Sequence, residues 1–363
     1  MKSRIKNIYD RIEEELDAIF IYNSTKPHVD MTFFYVTGLV VGEYEGCGAI
    51  LYPDYSAELM VSALESESAE KADIPMSSIK KKEERERWME DKLSELDIIG
   101  VNASELTYSG YKKIKEASEA EIIDISDEIA EARNIKDDKE IELISKACDL
   151  ASEVAEDIVE FIEPGVKEFE LAAEISYMMK KKGATGDAFD IIAASGPNSA
   201  EPHYTAGERK VKEGDFLLFD FGALYKRYVS DITRTFVVGE IEEKQRKMYE
   251  TVLEAQNVAL DTIEAGVKGE KVHNAAAEVI DSTEFQGKFI HGLGHSIGLS
   301  VHDGSGLSPS GDITLEPGMV FTVEPGIYLP GYGGVRIEDD ILVKEDGYEM
   351  LTSADKELKV LDF

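Results

Sequence analysis

Two aspartates sit where a folded chain can least accommodate them. The stretch FLLFDFGALYKRYVSDITRTF puts Asp220 and Asp231 inside apolar, β-prone sequence. A carboxylate between Phe219 and Phe221 is expected to be buried, and a buried carboxylate is costly without a counter-charge or a metal. Residues 211–222 and 227–238 read as two strands around the short turn ALYKR. Folded as a hairpin, they make Asp220 and Asp231 cross-strand neighbours on one face, within roughly 5 Å of each other. Two carboxylates that close cannot both stay ionised without cations. A capping or turn aspartate explains either residue alone, but not the pair.

Further along are groups that could complete a metal site. The segment KFIHGLGHSIGLSVHDG carries His291, His295 and His302, three of the six histidines of the chain. MVFTVEPGIY puts Glu324 in a β-branched, apolar run, and GGVRIEDDILV does the same for Glu338. Each has a bland reading: a loop histidine, a strand-end glutamate, a solvated edge. Together the bland readings require several independent polar interruptions of hydrophobic strands.

Asp220, Asp231, His295, Glu324 and Glu338, with their flanking residues, resemble the five metal ligands of the pita-bread metallopeptidases. The blocks DFGALYKRYVSDITRTF, HGLGHSIGLSVHD, LEPGMVFTVEPGIY and GGVRIEDD look like family blocks in family order. So does IIAASGPNSAEPHY, which carries His203. The resemblance runs from about residue 135 to the C terminus and is weaker before it. FFYVTGLVVG is similar to part of the creatinase-type N-terminal domain that accompanies prolidase and aminopeptidase P. It implies an α/β (α+β) chain: a creatinase-like α/β domain over residues 1–130, then a pita-bread catalytic domain of antiparallel sheet covered by helices over 131–363.

The resemblance also implies chemistry. Asp231 and Glu338 would bind both of two divalent ions, Asp220 one of them, His295 and Glu324 the other. Four carboxylates and one imidazole suit Mn²⁺ or Co²⁺ first, with Zn²⁺ and Fe²⁺ as alternatives. The implied nucleophile is water activated by those ions. Glu324 would also shuttle its proton, and His203, His291 and His302 would line the substrate side and stabilise the oxyanion. Arg336, two residues before Glu338, would contact a ligand or the substrate. The implied activity is cleavage of the Xaa-Pro bond at peptide N termini, as dipeptidase, aminopeptidase P or both, in a cytoplasmic homodimer. Its substrates would be small peptides with proline second. One departure from the prolidase pattern is Gly306, which falls where prolidases often place an arginine that reads a dipeptide's carboxylate. Another is Ser296, which follows His295 where most prolidases have glycine.

Other classes fare worse. A scaffold protein that has lost its ligands, and the metal-free creatinases, are disfavoured by five filled ligand positions. Methionine aminopeptidase, without proline specificity, is disfavoured by the extra N-terminal domain. A net charge of −35 argues against nucleic acid and against anionic membranes. No run of roughly 18 apolar residues occurs. The charged N terminus lacks a signal-peptide core and reads as an amphipathic helix leading into the strand AIFIYNS. Cys47 and Cys148 read as buried small hydrophobes, Cys148 on the apolar stripe of a helix, which fits a cytosolic location.

Overall fold

The computed structural model describes residues 2–362, which divide into two compact units between Arg133 and Asn134. The first unit is built on a six-stranded sheet in the order Met76–Ile79, Ala57–Ser62, Gly48–Leu51, Ala18–Tyr22, Ile98–Val101, Glu121–Asp124. The inner three of the first four strands form an antiparallel meander, and the flanking pairs are parallel. Every residue of Ala18–Tyr22 is buried, as a central strand covered on both faces requires. Trp88, Met89 and Leu93 of helix Lys82–Leu93 and Ile114 of helix Tyr108–Ala117 share one core with Phe20, Ile50, Met60 and Ile99.

Two readings of this unit need correction. The N-terminal helix spans only Lys2–Tyr9, because the acidic run that follows offers no apolar stripe to bury. The charged segment SSIKKKEERERWMEDKLSEL, which reads as helical from its sequence, is not all helical: Met76–Ile79 is an edge strand, parallel to Ala57–Ser62.

The second unit has two halves with the same layering. In the first, helices Asp138–Asp157 and Glu168–Lys182 share a core with strands Phe216–Phe221 and Ile232–Val238. In the second, helices Glu243–Leu260 and Gly269–Asp281 share a core with Val320–Val323 and Asp339–Lys344. The duplication that the sequence does not display is therefore present in the packing. Asp137 starts the first helix with a capping box to Glu140. Helix Glu243–Leu260 stops short of Ala265-Gly266, where the sequence reads as its end.

The hairpin that carries the two aspartates is tighter than the sequence suggests. Its strands are Phe216–Phe221 and Ile232–Val238, extended by a short ribbon, Ala223–Tyr225 with Tyr228–Val229. The turn lies at Lys226 and Arg227, both with positive φ (48° and 82°). That is the sense of turn whose twist matches a hairpin. The register sets Asp220 opposite Thr233, not opposite Asp231. The two aspartates share a face but are diagonal neighbours, and Thr233 stands between them.

Behind this hairpin lies a buried ion pair. Arg234 donates to Asp339 at 2.7 Å and to the carbonyls of Glu338 (2.6 Å) and Ala354 (2.6 Å). Both side chains are 3% exposed. Removing one partner leaves the other charged and dry. Asp339→Ala is therefore expected to lose about 3–5 kcal/mol of stability, read as a lower urea midpoint at unchanged m-value.

Candidate active site

Five ionisable side chains converge from both halves of the second unit. Asp220 comes from the strand Phe216–Phe221, and Asp231 from just before Ile232–Val238. His295 ends the short strand Gly294–His295, Glu324 follows Val320–Val323, and Glu338 precedes Asp339–Lys344. One ligand atom each from Asp231, His295 and Glu338 lie within 4.8 Å of one another. His295 Nε2 stands 3.7 Å from Asp231 and 3.5 Å from Glu324.

The backbone sets this convergence. Gly294 lets the His295 strand lie close on Thr322, since a Cβ there would meet the Thr322 carbonyl oxygen at 1.9 Å. Thr322 Oγ1 then accepts the His295 N–H at 3.0 Å. Across the junction of the halves, Thr233 accepts the Glu338 N–H at 3.2 Å and donates its hydroxyl to Glu338 Oε2 at 2.5 Å.

The electrostatics of the cluster are adverse. Burial pushes Glu324 up to about 8, with the Asp220 charge adding to it and the Arg336 guanidinium opposing. Asp231 and Glu338 are also held far above the carboxylate range, by burial first and then by neighbouring carboxylates. Burial lowers His295 to about 4, so its imidazole is neutral and able to ligate. Asp220 Oδ1 and Asp231 Oδ1 are buried with no hydrogen-bond partner. Dry, unpaired carboxylate oxygens beside a neutral imidazole are what a divalent cation of borderline hardness would satisfy, and this donor set fits one.

Among the described residues, Arg336 is the one lysine or arginine lining the cavity. It is committed on every side: Nε to Thr233 Oγ1 (3.1 Å), Nη1 to Tyr328 Oη (2.9 Å), and Nη2 to Asp220. The cavity is about 610 Å³ in volume, within the usual range for a small-ligand site. His203 and His302 are exposed on its wall, with Phe189, Ile191 and Val301 as apolar surface. His302 packs against the His295 ring at 4.2 Å.

His291 lines the cavity too, but both of its nitrogens are engaged. Nδ1 donates to the Gly292 carbonyl at 2.7 Å, and Nε2 accepts from Tyr328 Oη at 2.8 Å. Burial and the nearby Arg336 lower its pKa to about 4. It therefore has no free N–H for an oxyanion, contrary to the expectation from sequence.

Sequence reasoning passed over Thr233, Tyr328, Asp340 and Lys136. Thr233 was within reach, being two residues beyond Asp231 in an alternating strand. Lys136 is buried and donates to Ser296 Oγ at 2.9 Å, which gives the serine after His295 a structural partner.

The chain matches Metallopeptidase family M24 over residues 142–345. The chain belongs to that family. Residues 4–135 match the Creatinase/Prolidase N-terminal domain. The metallopeptidase is 39% identical to the Xaa-Pro dipeptidase of Pyrococcus furiosus, over 99% of this chain and all of that protein. Among solved structures it is similar to the Xaa-Pro dipeptidase from Bacillus anthracis, with TM-score 0.90, 37% identity and 99% of each chain covered. It is also similar to the X-Pro aminopeptidase from Thermotoga maritima, with TM-score 0.88, 34% identity, and 95% of this chain and 98% of that one covered. The pita-bread fold, the creatinase-like first domain and the dependence on divalent metal ions follow from that membership. Among the described residues, no helix is long and apolar enough to cross a membrane.

The raised carboxylates fix a pH dependence for the metal-free protein. A folded-state pKa above the unfolded value gives stability that is complete below the unfolded pKa and lost as pH rises through the folded one. For Glu324 that window runs from its ordinary value of 4.5 to about 8. Metal-free protein is expected to melt at lower temperature at pH 8.5 than at pH 6, and Mn²⁺ should abolish the difference. A melting temperature independent of pH across this range would contradict the electrostatics described.

Proposed function

We propose that this metallopeptidase hydrolyses the Xaa-Pro bond at the N terminus of short peptides, using two divalent ions held by Asp220, Asp231, His295, Glu324 and Glu338. The observation that carries the reading is the convergence of donors from Asp231, His295 and Glu338 on one point beside Glu324. The proline specificity rests on the relatives named for it. Mn²⁺ or Co²⁺ are the ions best matched to this oxygen-rich set. Two free, buried cysteines suit a cytoplasmic setting. A homodimer belongs to the same reading, as the family habit.

When bound, the ions supply a water acidic enough to attack the scissile carbonyl at neutral pH. The chain's own residues do the rest. Glu324, which lines the cavity beside His295, would accept a proton from that water and pass it to the leaving proline nitrogen. His203 and His302, exposed on the cavity wall, donate to the oxyanion. Arg336, gripped by Tyr328 and Thr233, holds Asp220 in place. Phe189, Ile191 and Val301 receive the apolar parts of the peptide.

Two experiments test this reading. Glu338→Ala should lose metal and activity together, and full activity in that variant would sink the assignment. His203→Ala should keep its metal while kcat falls about 10²–10³-fold. The reverse pattern, with His203→Ala losing metal and His295→Ala keeping it, would show the site to be misread.

Substrate length follows from charge. Gly306 sits on the strand paired with His295 and offers no side chain, and Arg336 is already committed. Among the described residues, no cation lining the cavity is therefore left to grip a dipeptide's carboxylate with the strength of a bidentate arginine. Dipeptides and longer peptides should both be cleaved. The kcat/KM values for Ala-Pro and Ala-Pro-Ala should differ by less than about 10³-fold, roughly 4 kcal/mol. A larger dipeptide preference would reveal a carboxylate clamp outside these residues.

A further inference from the structure

We infer that Asp340 is a positioning residue for the metal centre, acting through the backbone of Asp231. Asp340 is fully buried, and its Oδ2 accepts the Asp231 N–H at 2.8 Å. The same oxygen accepts from the Cys148 thiol at 3.3 Å. Cys148 projects from the helix Asp138–Asp157, so the carboxylate is braced by a second element of the first half. Its own backbone is held in the second half: the Asp340 N–H donates to Thr352 Oγ1 at 3.1 Å, and its Cα faces Thr322 in the strand register.

The arrangement answers a local problem of the hairpin. In an antiparallel pair, successive N–H groups point alternately toward and away from the partner strand. The Ser230 N–H goes to Ala223 across the ribbon, and the Asp231 N–H is directed outward. Two residues on, the Thr233 carbonyl, which also faces outward, meets the Glu338 N–H. No strand continues that ladder to Asp231. The Asp340 side chain replaces the missing strand, and Glu338 stands two residues before it on the same segment. One short stretch therefore supplies a ligand and fixes the backbone of the ligand opposite. Groups that orient metal ligands typically influence affinity or activity by about 10–100-fold.

This inference rests on the metal reading proposed above, and its test separates the two. Metal-free wild-type, Asp340→Ala and Asp340→Asn proteins are titrated with Co²⁺. Affinity is read by calorimetry, and ligand geometry by the visible absorption of the bound ion. Asp340→Ala is expected to bind Co²⁺ at least 10-fold more weakly with an altered spectrum, and Asp340→Asn, which keeps an acceptor for the Asp231 N–H, to recover the affinity to within about threefold. Wild-type affinity and spectrum in Asp340→Ala would overturn the positioning role while leaving the metal reading intact. Should Asp340→Ala fail to fold, Asp340→Asn decides alone: a 10-fold loss despite the retained acceptor overturns the inference, and a wild-type spectrum and affinity supports it. A wild-type protein that takes up no Co²⁺ would overturn both.

Discussion

The second unit is organised around the cost of keeping carboxylates dry. Asp231, Glu338 and Asp340 are almost wholly buried, and Asp220 and Glu324 lie beside them. At an effective dielectric near 20, two such charges about 4 Å apart repel by about 4 kcal/mol. The protein offsets part of this with Arg336, whose guanidinium reaches Asp220 and lies 3.9 Å from Glu324. It offsets more with donors: the Thr233 hydroxyl on Glu338, and the Asp231 amide and Cys148 thiol on Asp340. What remains is protonation or cations.

The duplicated layering explains why those ions would matter for more than chemistry. Asp220 and Asp231 belong to the first half, and His295, Glu324 and Glu338 to the second. Across this junction Phe216 and Val237 join the apolar core of the second half, and polar ties near the site add to that packing. Thr233 is the main polar tie, bonding Glu338 through carbonyl and hydroxyl and accepting from Arg336 Nε. Arg234, one residue on, points the other way and clamps Asp339 and the chain around Ala354. Alternation along one strand thus sends Thr233 to the site and Arg234 to the structural ion pair behind it. An ion held by ligands from both halves would be a further tie at the same seam.

Much of this was legible in the sequence, because acids that interrupt a hydrophobic strand are conspicuous. Asp220 between two phenylalanines and Glu324 after FTV announce themselves. The helix after residue 137 is also legible, from the acidic pair Asp137-Asp138 that starts it and the Pro164-Gly165 pair beyond its end. What escaped reading depends on register and on partners distant in sequence. The sequence shows two aspartates flanking a turn, but only the positions of Lys226 and Arg227 decide that Asp220 faces Thr233. In GGVRIEDDILV the run of three acids looks alike. The fold sends Glu338 to the cluster with Asp231 and His295, Asp339 to Arg234 and Asp340 to the Asp231 amide. Nothing local distinguishes these destinations. Met76–Ile79 was missed for a related reason: two serines and an adjacent lysine run mask a half-exposed edge strand.

The site also carries a gradient that bears on how it could work. Its floor is dry: Asp231 is 4% and Glu338 2% exposed, and Arg336 behind them is 2% exposed. Its wall, with His203 and His302, is wet. His291 is engaged by Tyr328 and Gly292, and the same tyrosine accepts from Arg336. Glu324 sits between floor and wall: it is partly exposed, lies beside His295 and lines the open cavity. A proton taken at the floor must reach a leaving group that arrives through the wall. In the proposed reaction Glu324 would carry that proton, because it reaches from the buried cluster to the open cavity.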